Sequence, residues 1–144
     1  MRVSILAPVL ILILSTLSAG CNGSPTAPDP ELRGGIVATF NVSGESFRVW
    51  ITNPRTIDEV LALRRGASLA GIPSGRLRTG AGQGGHNRPY SWHLDPEDIA
   101  MAEVTIELCD GRPSYIEANR DAFIREVGRY CPWGAVLQQV EDYR

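Results

Sequence analysis

The chain has 144 residues, and its 14 basic side chains, every one an arginine, face 16 acidic ones for a formal net charge of −2. That balance excludes a polybasic grip on nucleic acid or on anionic lipid. The length leaves room for one compact domain with one core.

Arg2 and the free amine make a positive start, and residues 5–14 are apolar except for Pro8. About ten such residues match the core of a signal peptide and fall short of a hydrocarbon layer of roughly 30 Å. The small residues Ser18, Ala19 and Gly20 follow. Leu17-Ser18-Ala19-Gly20-Cys21 resembles the lipobox of bacterial lipoproteins. The resemblance implies cleavage before Cys21 and a diacylglyceryl group on its thiol, with palmitate-type chains, several of which on one residue hold a protein stably to a membrane. Asn22 resembles the position that permits sorting to the outer membrane in Gram-negative lipoproteins. The expected location is therefore extracytoplasmic, in the cell envelope, with the membrane itself a partner through the lipid.

Residues 22–30 are polar and Pro-rich without periodicity, as in a semi-extended tether. The expected organisation is a signal peptide over 1–20, lipidated Cys21 and tether over 21–34, and a globular domain over 35–144. Once Arg2 leaves with the signal, 13 arginines stand against 16 acids, a charge of −3.

Ile36, Ala38, Phe40 and Val42 alternate as a half-buried strand requires. Gly44 turns the chain into a second strand with Phe47, Val49 and Ile51 on one face and Arg48, Trp50 and Thr52 on the other. Asn53 followed by Pro54 predicts a helix start, with Ile57, Val60 and Leu61 as its core stripe and Gly66 as its stop.

Residues 71–96 read as a tightly turned surface loop. Within it, Gly80-Ala81-Gly82-Gln83-Gly84-Gly85 formally satisfies G-x-G-x-x-G. His86-Asn87-Arg88-Pro89 follows and is no helix start, so dinucleotide binding is excluded and no cofactor is expected. Arg76, Arg78, His86, Arg88, Trp92 and His93 form the candidate ligand-binding set, around an aromatic-lined surface. His93 is also the one candidate general base, with Glu103 or Glu107 as acid partner in a hydrolase or lyase. Against that, Asp95-Pro96-Glu97-Asp98 reads as a helix start with Asp95 as its cap, which leaves His93 in an extended segment beside Trp92.

Val104, Ile106 and Leu108 alternate with Glu103, Thr105 and Glu107, the pattern of a strand. Asp110-Gly111 fits a hairpin turn, with Tyr115 and Ile116 in an edge strand marked by Pro113. Asn119 starts a helix carrying Phe123, Ile124 and Val127 and closed by Gly128, and Val136 and Val140 mark a last strand. Glu103 and Glu107 on one strand face lie ~13 Å apart, too far for shared metal ligation, and no metal is expected. With Cys21 carrying lipid, Cys109 and Cys131 are left in an oxidising compartment and are expected to form a disulfide. Trp92, Trp133, Tyr90 and Tyr130 are candidate core anchors.

Trp92-His93-Leu94-Asp95-Pro96, Cys109-Asp110-Gly111-Arg112-Pro113 and Val127-Gly128-Arg129-Tyr130-Cys131-Pro132-Trp133 resemble the signature of a small secreted domain family without established activity. The resemblance spans 36–140, supports the domain boundaries and the cysteine pairing, and transfers no site. The expected fold is α+β: a single small domain, mostly antiparallel sheet, with two main helices and one disulfide. The expected function is a lipid-anchored binding module for an envelope protein or glycan, the hydrolase or lyase being the alternative.

Overall fold

The computed structural model describes residues 31–144; the lipobox, Cys21 and the tether over 22–30 lie outside the described residues. Ten elements follow: β1 (Ile36–Val42), β2 (Glu45–Ile51), α1 (Pro54–Arg64), β3 (Ile72–Thr79), β4 (Trp92–Leu94), β5 (Ala100–Ala102), α2 (Pro113–Ala118), α3 (Arg120–Glu126), β6 (Arg129–Tyr130) and β7 (Val136–Asp142). All described strand pairs are antiparallel, and the fold is α+β with helices set against two sheets.

The first sheet has the order β2-β1-β7. Its alternation places Ile36, Ala38, Phe40, Phe47, Val49 and Ile51 in the shared core. On the opposite face Val37 and Trp50 are buried beneath Leu32 and Tyr143. The β1–β7 register shifts between Thr39 and Phe40, a bulge in the ladder. The helix after β2 starts as its sequence demands: the Asn53 side chain accepts from the Arg55 and Thr56 N–H groups at 3.0 and 3.5 Å, with Pro54 in the first turn. Gly66, at φ +71°, follows its end.

The second sheet is centred on β3, which pairs with β4, β5 and β6. Residues 72–79 are thus a central strand rather than surface loop. Pro73 and Gly75 conceal it in the sequence, because both are poor strand formers. Gly75 is closely packed there: a Cβ would meet the Ile99 and Leu94 side chains at 3.1 and 3.2 Å, so both would have to give by a few tenths of an ångström. Phe47 of β2, Trp92 of β4 and Tyr130 of β6 join the two sheets, with ring centroids 5.3–5.9 Å apart.

Two further expectations are corrected. Asp95 starts no helix: its carboxylate accepts from the Glu97 N–H and its carbonyl from the Asp98 N–H, a local turn that leads into β5. Residues 103–116 form no hairpin. Pro113 is the first residue of α2, so Tyr115 and Ile116 are helical. Residues 103–106 pair with no strand among the described residues, and a single 3-10 turn covers Glu107–Cys109. Asn119 stands between α2 and α3, but its side chain donates back to the Tyr115 carbonyl instead of capping α3. Cys109 and Cys131 are bridged, their Cα atoms 5.2 Å apart.

Candidate functional site

Two surfaces carry the residues singled out above. The first is the β3–β4 connection. Three glycines there, Gly82, Gly84 and Gly85, hold positive φ and wrap the chain around His86, which is buried. A Cβ on Gly82 would lie 2.1 Å from the His86 ring, so glycine is required for the wrapping itself. His86 Nδ1 lies 2.9 Å from the Gln83 carbonyl, while its Nε2 is buried without a partner. Desolvation lowers its pKa to about 4, the Gln83 carbonyl opposing this and neighbouring His93 adding to it. The ring is a neutral, structural donor.

Asn87 is the second buried polar residue of this loop. Its Oδ1 accepts from the Arg48 N–H at 2.8 Å, and its Nδ2 donates to the Trp92 carbonyl at 2.8 Å. One side chain therefore closes the outer edge of β2 and ties it to β4. The incoming chain is held here too. The Glu31 carboxylate accepts from the Gly84 N–H at 2.9 Å, and the Gln83 amide donates to the Glu31 carbonyl.

The remaining members of the set scatter. Trp92 is fully buried among Phe47, Tyr90 and Tyr130, so its ring lines no surface. Arg78 is paired across the sheet with His93, but its guanidinium binds Asp95 at 2.9 Å, which lowers the Asp95 pKa. Arg76 and Arg88 are exposed. His93 Nδ1 meets the Gly80 carbonyl at 2.7 Å, and its ring lies edge-on to His86 at 5.9 Å. Neither Glu103 nor Glu107 bonds to it; both are exposed in the segment before the disulfide. Among the described residues no group of three or more His, Cys, Asp or Glu could hold a metal ion.

The second surface was missed as a surface because its alternation reads as a buried strand. Val104, Ile106 and Leu108 are 82, 67 and 65 % exposed, and Trp133 is 44 % exposed. The disulfide keeps them there: both sulfurs lie within 3.5 Å of the Ile106 carbonyl. The Trp133 N–H donates to the Asp110 carboxylate at 2.9 Å, fixing the far side of the same knot. Glu103 and Glu107 rim the patch and make no ion pair among the described residues.

A family model described as the BP-74 N-terminal domain matches residues 35–144. The chain belongs to that family. No curated protein and no solved structure matches the chain. The family is an uncharacterised one, and the match runs through both surfaces, the buried His86–Asn87 loop and the exposed side chains beside the Cys109–Cys131 disulfide.

Proposed function

We propose that this domain is a binding module of the bacterial envelope, tethered by lipid at Cys21, facing the periplasm or the cell surface from the outer membrane, and docking a polypeptide through residues 103–108. One observation supports this above others: three aliphatic side chains alternating in sequence, Val104, Ile106 and Leu108, are each 65 % or more exposed on the segment that leads into a disulfide. Single exposed apolar residues are ordinary, but contiguous ones rimmed by charge mark a docking surface. The Gly-rich loop, with its buried neutral His86, is better read as scaffold than as ligand site. Apart from His86 Nε2, its buried side-chain hydrogen-bonding groups are already turned on Gln83, Arg48 and Trp92, and the Gly84 N–H on Glu31.

A photo-reactive residue in place of Ile106, introduced in the full-length protein in its own envelope, tests this reading. Linkage of Ile106 to a polypeptide is expected, with none from exposed Asp58 on α1. No polypeptide linked from either position would overturn it. For the anchor, Cys21→Ala should leave the protein unprocessed or soluble on membrane fractionation, and wild-type partitioning of that variant would remove the lipid from the account.

A further inference from the structure

The sequence of residues 103–108 and their conformation disagree. Glu103, Thr105 and Glu107 alternate with Val104, Ile106 and Leu108, three β-branched residues among them, and the segment is a strand by every local rule. Among the described residues it has no strand partner. Ile106 is already extended, with φ −90° and ψ 148°. Val104 and Ile106 point outward, whereas the Thr105 hydroxyl is buried without a hydrogen-bond partner. Residues 104–106 thus have the side chains of a strand and no strand neighbour among the described residues, while Glu107 and Leu108 are held in the 3-10 turn that follows.

An open neighbour exists on the same chain. The first sheet ends at β2 on one side and β7 on the other. Asn87 closes the β2 edge at Arg48. The outer edge of β7 has no such closure among the described residues, and alternate backbone groups of an edge strand point away from the sheet unpaired. Along that edge runs an open groove of about 480 Å³, lined by Leu63, Arg64, Gly71 and residues 135–140, with no residue of β1 in its wall. Its floor and rim are apolar at Leu63, Leu137 and Val136. Arg64, in its wall, and Arg65, next to it in sequence, are exposed, with no ion pair among the described residues.

We propose that residues 103–108 of one copy add as a further strand to the β7 edge of a second copy. This deepens the binding-module reading and rests on it. The match is threefold. Once the single 3-10 turn over Glu107–Cys109 opens on docking, six extended residues cover ~20 Å, close to the length of the seven-residue β7. Val104, Ile106 and Leu108 present one apolar face to the groove, while the main chain supplies the ladder, the usual division of labour in strand addition. The unpaired Glu103 and Glu107 meet the unpaired Arg64 and Arg65, whose long side chains reach over an outermost strand. The contact is heterologous: two copies close on each other if the exchange is reciprocal, and a row grows if it is not.

The test uses two differently tagged full-length copies expressed together in the envelope, with the photo-reactive residue at position 106 of one. The linked peptide is expected to come from residues 135–140 of the other. Glu103→Arg/Glu107→Arg in the donor, or Arg64→Glu/Arg65→Glu in the acceptor, should each lower the yield about tenfold. Combining the two reversals should restore it, a rescue that a folding defect cannot mimic. Linkage to a different polypeptide overturns the self-pairing but leaves the module reading standing. Linkage to no polypeptide overturns both. Linkage to the second copy without rescue, or at other residues, overturns the assigned register and with it this proposal.

Discussion

His86 shows how a single residue can mislead when read from sequence. A histidine amid glycines, near arginines and a second histidine, has the look of a ligand. Its burial makes the opposite argument, because a charged ring there would carry an N–H at Nε2 with no acceptor. The folded chain protonates His86 only near pH 4, whereas an unfolded histidine does so near 6.5. Folding therefore expels a proton between those values. Stability from this group is full above pH 6.5 and is lost as pH falls toward 4, by up to about 3 kcal/mol. Chemical denaturation at pH 7 and at pH 4.5 should show that loss, and His86→Gln should reduce the difference between the two conditions. Its neighbour Asn87 carries a larger load that no motif announces. Replacing it with alanine leaves the Arg48 N–H and the Trp92 carbonyl unpaired, and should cost about 3 kcal/mol by denaturant midpoint.

At the scale of elements, what could be read from the sequence was what local chemistry decides. β1, β2, α1 and β7 follow from alternation, the Asn53-Pro54 start and Gly66, with no long-range term needed. Asn53→Ala should accordingly lower stability by about 1 kcal/mol, measurable as a shift in thermal midpoint. The failures occurred where two local meanings competed and tertiary contacts chose. Pro113 suits an edge strand or the first turn of a helix equally; Glu45, reaching from β2, settles it by accepting from both the Ser114 N–H and its hydroxyl at 2.8 Å. Asp95 suits a cap or a turn, and Arg78 from the neighbouring strand holds its carboxylate. β3 was hidden by Gly75, whose value lies in the close approach of Leu94 and Ile99 and not in any strand preference of its own. The candidate site followed the same rule. The positions of Cys109 and Cys131 were legible, but the outward direction of Val104, Ile106 and Leu108 was not, because alternation specifies two faces without saying which one is wet.

For the molecule as a whole, the two sheets and their aromatic seam form the main core, and the buried Cys109 and Cys131 pack beside it in a smaller cluster with Ile72 of β3. The disulfide closes a span of 22 residues and should contribute about 3 kcal/mol through the unfolded chain, so reduction should lower the thermal midpoint without abolishing folding. The aliphatic side chains that it displays should contribute almost nothing to stability, since they are mostly in water already. The account rests on that separation between residues that hold the fold and residues that face a partner. The most direct measurement is the thermal unfolding of Val104→Ser/Ile106→Ser/Leu108→Ser beside the parent protein. Surface positions change stability by no more than about 0.5 kcal/mol each, about 1.5 kcal/mol for the three, so at about 4–8 °C per kcal/mol a midpoint lowered by less than about 10 °C is the predicted result. A fall of roughly 15 °C or more would mean that the three side chains are core, and would contradict the docking surface.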